Sequence, residues 1–381
     1  MNFYLKKIAV SGKFDVDLVS FVNKVDLGKI DVENFGIKFH PVIREKCFRE
    51  FIGNILSINS KYNPKSRYCG IITWNAANLF LAKIRELRNS GYIPDIIILD
   101  WTQLVLIIDD VKKIYPEAIY ISSEQDVTYL GKRREAEKER LSVRLFIKKE
   151  IAKTCKKFEL QALSKSDLVI TYNEKDRNLL IADGINQKSV KMLAPYFHKT
   201  AAKRAVSNND IIFFGYMRRF ENVNAVTWFI DNVMPKINDL PCRFVVVGGG
   251  LDDDLKALEN QKIVFTGFVP EIDSYFSKAM CFAAPLNYGA GIKIKVIEAL
   301  YSGIPVLTNK IGIEGIPAVK GKDYIHCENA ADYSEAIRKI YLKTEKVVDG
   351  SESIKRNFDY VKSAEEYISL IEKIGNEKRC C

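Results

Sequence analysis

Pro285-Leu-Asn-Tyr-Gly-Ala-Gly-Ile-Lys-Ile-Lys-Val-Ile-Glu-Ala-Leu-Tyr-Ser-Gly-Ile-Pro305 decides how this chain is read. The order of its residues predicts a buried strand end, a glycine-rich loop, a helix charged at its start and a turn into another apolar strand. Gly289 and Gly291 let the backbone approach a ligand closely. The helix start behind them offers free N–H groups and a partial positive charge. Lys293 and Lys295 add full charges at the same end, a combination that suits a phosphate or diphosphate. Glu298 stands seven residues after Gly291, two helical turns on and nearly on the same face. Its side chain leans back toward the helix start, within reach of a sugar hydroxyl beside the phosphates. A nucleoside diphosphate carries both groups. Taken alone, these residues fit a plain α/β loop equally well, with Lys295 and Glu298 as a surface i,i+3 ion pair.

The surrounding pattern decides for a ligand. Apolar runs at Asp210–Met217, Arg243–Gly250, Lys262–Val269, Cys281–Leu286, Ile304–Thr308 and Asp323–Cys327 read as strands. Helical spacing from Asn222 to Lys236, an acidic helix start at Asp252–Leu258 and a short helix opened by Pro270 separate them. Strands with little polar alternation, alternating with helices, imply a parallel sheet covered on both faces. Its ligand crevice lies beyond the carboxyl ends of the strands, where Tyr288–Gly291 falls.

In that order and spacing, the second half resembles the donor-binding domain of GT-B glycosyltransferases, most closely the retaining family 4 (group 1) enzymes. The matching pieces are Phe213-Phe-Gly-Tyr-Met217 with Asn222-Val-Asn-Ala225, Val246-Val-Gly-Gly-Gly250, Val264-Phe-Thr-Gly-Phe-Val269, Gly289–Ala299, Gly303-Ile-Pro-Val306 and Gly312-Ile-Glu-Gly315. The resemblance implies two Rossmann-like domains facing a central cleft, in residues 1–195 and 196–355. A final helix, 356–381, would cross back to the first. It implies an enzyme that moves a sugar from a nucleotide-diphosphate donor to a hydroxyl of a glycan or glycolipid in cell-surface polysaccharide synthesis. That enzyme is retaining, uses no metal and no cofactor, and draws its charge stabilisation from helix-end amides and lysine.

The resemblance also distributes roles. Glu298 matches the second glutamate of the family's paired motif and would hold the ribose. Lys293 and the loop Gly289, Ala290, Gly291 and Ile292 would hold the diphosphate, beside Gly215. Phe268 and Val269 would lie against the base, and Gly312 and Glu314 would close over the phosphates. The family's first glutamate would fall at Ala290, and its basic residues after the first strand at Tyr216 and Glu221, so Arg218 or Arg219 would substitute. These departures keep two other readings open, a nucleotide-binding partner without activity of its own and a GT-B sugar-nucleotide epimerase.

The first half reads as another βαβ series. Strands are expected at Ile8–Gly12, Gly70–Trp74, Tyr92–Trp101, Ala118–Asp126 and Ser166–Thr171, with helices at Ala76–Arg88, Leu104–Ile114 and Asn173–Ala182. Ser122–Tyr129 falls at a strand end. There Gln125 stands near the family's frequent histidine, and Glu124 and Asp126 are carboxylates able to orient or deprotonate an acceptor hydroxyl. A turn or capping role fits Asp126 as well, and Asp100 has the same ambiguity.

Composition bounds the rest. A chain of 381 residues, 47% hydrophobic and 28% charged, describes a globular protein long enough for two cores. Its eight cysteines form no C-x-x-C pair and no metal-like cluster with the three histidines, and read as reduced cytosolic thiols. Cys380 and Cys381 do not make a prenylation box. No signal peptide or membrane-spanning run is expected. Much of the formal net charge of +10 comes from residues 132–165, with twelve basic against five acidic side chains. Interspersed apolar residues make this helical stretch amphipathic, which suits an anionic membrane surface or a solvated face. Nucleic acid is not expected, because no recognition module accompanies the charge. The expected location is the cytoplasm, peripheral on the inner face of the membrane.

Overall fold

A computed structural model describes residues 3–29, 32–44, 66–68, 70–200, 204–205, 208–344 and 347–379. Cys380 and Cys381 lie outside them. The chain forms two compact units, one of Met1–Leu193 with Tyr360–Cys381 and one of Ala194–Asp359.

In the first unit β1 (Val16–Asn23) and β2 (Ile37–Arg44) pair in parallel. A second parallel sheet takes β3 (Ile96–Asp100), β4 (Ile119–Glu124), β5 (Leu168–Thr171) and β6 (Val190–Met192) in sequence order. Every residue of β4 and β5 is buried, as continuous apolar runs require.

The expected strand at Ile8–Gly12 is instead the end of a helix, Phe3–Val10. Tyr4 and Ile8, one helical turn apart, are both buried. Tyr4 meets Tyr367 edge-on at 5.9 Å and Phe3 meets Tyr360 at 5.0 Å, both on the last helix, Tyr360–Arg379. Short apolar runs do not by themselves separate helix from strand, and here packing decided. Gly70–Trp74 is no strand either. Thr73 caps the helix Trp74–Asn89, its hydroxyl accepting the Ala76 N–H at 3.1 Å. The single helix expected over Leu104–Ile114 breaks into Thr102–Val105 and Ile108–Ile114. The final helix expected over 356–381 begins at Tyr360, after a separate helix, Ser351–Asn357, that ends before Phe358.

The second unit carries one six-stranded parallel sheet. Its strands are β7 (Asp210–Phe214), β8 (Arg243–Val247), β9 (Ile263–Phe265), β10 (Cys281–Ala284), β11 (Val306–Thr308) and β12 (Ile325–His326). Their spatial order is β12-β11-β10-β7-β8-β9. At its amino edge the Arg243 guanidinium grips both oxygens of Asp210, at 2.8 and 2.9 Å, in the register that pairs these residues across β7 and β8. Phe213 and Phe282 stack across β7 and β10, and Phe229 of the helix Phe220–Asn232 stacks on Phe244 at 4.4 Å.

Candidate functional site

The strand order of the second unit reverses between β7 and β10. In an open α/β sheet such a reversal parts the loops on either side and leaves a crevice at the carboxyl ends. The loops here are Gly215–Arg219 after β7 and Pro285–Lys293 after β10. The second leads into the helix Ile294–Tyr301, which begins without a side-chain cap, so its first amides remain for a ligand. Gly289 and Gly291 hold φ of 102° and 67°, values that side-chain-bearing residues rarely adopt.

Lys295, in the first turn of that helix, crosses the reversal. Its ammonium donates to Asn222 Oδ1 and lies 4.4 Å from the centre of the Phe213 ring. Asn222 in turn donates to the Tyr216 carbonyl at 2.9 Å, so one amide joins the β7 loop to the lysine. Gly215 is required by this arrangement: a Cβ there would sit 2.6 Å from Asn222 Nδ2 and 2.7 Å from Lys295 Nζ. Burial pulls the Lys295 ammonium down to about 7, with Arg219 and Lys293 adding to the effect and Glu221 and Glu298 opposing it. A largely desolvated ammonium is stabilised by an approaching anion.

The expected surface pair of Lys295 with Glu298 is therefore not formed. Glu298 accepts the backbone N–H of His198 through Oε1 at 2.9 Å, while His198 Nε2 meets Asp273 at 2.8 Å. Burial raises the Glu298 carboxyl above its ordinary value, and the His198 amide works against that rise. Lys293, the residue just before the helix, folds its ammonium onto the loop, donating to the carbonyls of Ala290 at 3.0 Å and Gly291 at 2.6 Å. It braces the loop and leaves its charge inside it. Ile292 follows Gly291 within this same braced loop.

Around this centre, Arg219 pairs with Glu221 at 2.8 Å, and Arg218 is exposed. Phe268 is 83% exposed beside the half-buried Val269, after Gly267 turns the chain at φ 68°. Gly312 is a packing glycine, since a Cβ there would fall 1.9 Å from Thr308 Oγ1. Its N–H donates to Asn309 Oδ1 at 2.9 Å, and half-buried Glu314 follows two residues on.

In the first unit the carboxyl ends of β3 and β4 carry a different chemistry. Glu124 is 1% exposed and accepts the Thr102 hydroxyl through Oε2 at 2.7 Å, while Oε1 is buried without a partner. Glu159, wholly buried, accepts the N–H groups of Thr128 and Tyr129, both at 2.9 Å. Burial pushes Glu159 up to about 8, and burial together with Glu159 pushes Glu124 well above the carboxylate range. Asp126 is half-buried and accepts the Thr128 hydroxyl at 3.3 Å. Asp100 accepts Gln125 Nε2 at 2.9 Å.

Asn222 and His198 carried no role in the sequence reading. Asn222 was findable: with Ala225, Val226, Phe229 and Ile230 it lies on the buried stripe of its helix, where a polar residue needs a reason. His198 acts through its backbone, which no side-chain pattern reveals.

The geometry defines a GT-B fold, and solved structures share it. HepE from Anabaena, in complex with UDP and glucose, is 13% identical with a TM-score of 0.66 over 97% of this chain and 95% of that one. Sucrose-phosphate synthase from Thermosynechococcus elongatus is 14% identical with a TM-score of 0.67, over 97% and 91%. The pneumococcal O-GlcNAc transferase, in complex with UDP and GlcNAc, aligns over 77% and 60% with 14% identity and a TM-score of 0.53. Residues 208–343 match the family described as glycosyl transferases group 1, so the resemblance drawn from the donor-loop residues is shown for this segment. No curated relative matches the chain.

Proposed function

We propose that this protein is a glycosyltransferase that moves a sugar from a nucleoside-diphosphate donor to a hydroxyl of a glycan or glycolipid, in the synthesis of a surface polysaccharide. The observation that carries the reading is the half-buried Lys295 beside a braced glycine loop, at the reversal of a parallel sheet. Similarity to group 1 glycosyltransferases over residues 208–343 supports it. In this reading Lys295, Lys293 and the first amides of the loop helix stabilise the charge developing on the leaving diphosphate. Those charges supply what a metal would, and transfer proceeds with retention. Glu298, held by His198 at one oxygen, keeps the other for a ribose hydroxyl. Phe268 and Val269 border the base, and Arg218 supplements the charge.

On the acceptor side Asp126 is the carboxylate able to face a hydroxyl, whereas Glu124 supports the strand tip from within. Among the described residues no helix is long and apolar enough to cross a membrane. The start of the helix Ser142–Leu163 instead leaves Leu141, Val143 and Phe146 more than half exposed among Arg140, Arg144 and Lys149. That face suits an anionic lipid surface, where the acceptor's lipid would lie.

Thermal shift and calorimetry against UDP, GDP, ADP and their sugar esters test the reading. One diphosphate should stabilise the protein, and its sugar ester should turn over with an acceptor present. Binding of none would end it, and sugar-nucleotide turnover without any acceptor would favour an epimerase.

A further inference from the structure

Trp101 is held in a backbone conformation that side-chain-bearing residues rarely adopt. It directly follows β3 with φ 73° and ψ 146°. Among the described residues only Asn209 and Lys343 share a positive φ without being glycine. Lys343 ends its helix in the ordinary left-handed region, at ψ 34°. Trp101 lies instead in a region that is essentially glycine's, and a side-chain-bearing residue is strained there. Its backbone is fixed on both sides: the N–H donates to Ser123 O at 2.9 Å, and the carbonyl accepts from Leu104 at 2.9 Å and Val105 at 3.2 Å.

The indole so displayed is 44% exposed. Glycine at this position would remove both the strain and the exposed apolar surface. A local rule broken twice, at a strand's carboxyl end, points to a role outside folding.

At the same strand ends, the Asp100 carboxylate accepts the Gln125 amide N–H at 2.9 Å, and half-buried Asp126 follows Gln125 in the chain. A flat apolar face at a strand tip that also carries carboxylate and amide groups disfavours an anion. It matches a pyranose ring, which has a face of C–H bonds and an edge of hydroxyls that seek acceptors. We propose that Trp101 with the Asp100–Gln125 pair forms a subsite for a neutral pyranose ring of the acceptor. The inference rests on the glycosyltransferase reading above and names the acceptor's chemical class.

The test uses the full chain and three probes, maltotetraose, chitotetraose and laminaritetraose, by saturation-transfer NMR and calorimetry. At least one should receive saturation on its ring C–H protons. Trp101→Gly should weaken that probe at least tenfold and Trp101→Phe less, while nucleotide affinity stays within twofold. The melting temperature of Trp101→Gly should hold or rise, because strain is released; a purely structural tryptophan would lower it. Absence of transfer to all three probes overturns the proposal, as does equal binding by Trp101→Gly or preference for an organic cation such as choline. Nucleotide binding in the same samples separates this failure from that of the parent reading, which falls only if no diphosphate binds.

Discussion

At the carboxyl ends of β7 and β10 the chain presents glycines and lysines; at the ends of β3 and β4 it presents carboxylates, an amide and a tryptophan. Both are tips of parallel sheets, and both bury ionisable groups with little compensation. The signs are opposite. In the second unit the buried group is a cation, Lys295, drawn toward neutrality, and in the first it is the carboxyl pair Glu124 and Glu159, drawn toward the protonated form. A largely desolvated cation beside uncapped helix amides gains by meeting an anion, whereas carboxyls drawn toward the protonated form leave a tip suited to a neutral ligand. In the proposed reading, donor diphosphate would belong to one tip and acceptor sugar to the other.

The sharpest way to break this contrast is Lys295→Met. Replacing a buried charge with an apolar side chain of similar length should leave the melting temperature equal or higher. The loss of kcat/KM should be on the order of a hundredfold, as when one stabiliser of developing charge is removed. A pH profile separates this from a packing effect. The free ammonium sits at about 7, with Arg219, Lys293, Glu221 and Glu298 around it, and a bound diphosphate raises it. Below pH 7 the lysine is charged in both states and nucleotide affinity is flat. Above it binding takes up a proton, so affinity should fall by up to about tenfold per pH unit. Lys295→Met should flatten that limb, and an unchanged limb would remove Lys295 from the diphosphate.

Glu298→Ala tests the same tip with a smaller effect. Loss of the ribose acceptor should raise donor KM or lower turnover about tenfold, about 1.4 kcal/mol, with acceptor KM unmoved. Parallel loss for both substrates would show that the two tips do not divide the work.

The donor side was far more legible in the sequence than the other side. Glycines stand in the loops after β7, β8, β9 and β10, and Gly215 and Gly312 leave no room for a Cβ, so spacing placed the loops. Lys293 drew attention by position and braces its own loop, while the cation that crosses the reversal is Lys295, two residues on. A side chain's direction at a helix start depends on the opposite loop, which one stretch of sequence does not contain. In the first unit the helix Phe3–Val10 was mistaken for a strand because its partners, Tyr360 and Tyr367, lie at the far end of the chain. Trp101 carried no signal, since strain is a property of φ and ψ and not of composition.

Glu124→Gln gives the smallest effect and sharpens the acidic half of the comparison. Both Glu124 and Glu159 titrate above their ordinary values in the folded state, chiefly through burial. Folding therefore favours the protonated forms. The stability they contribute is whole below pH ~4.5 and is lost as pH rises through the folded values, which for Glu159 lie at about 8. Glutamine keeps the acceptor oxygen for Thr102 and cannot ionise, so it should match the wild type at pH 5. At pH 8 it should melt some 2–4 °C higher, the shift that about 1 kcal/mol makes in a unit of this size. Melting followed through tryptophan fluorescence reads this, Trp74 and Trp101 reporting the first unit and Trp228 the second. A variant that loses stability equally at both pH values would mean that Glu124 is ionised in the native protein, and the two tips would then differ only in the sign of a settled charge.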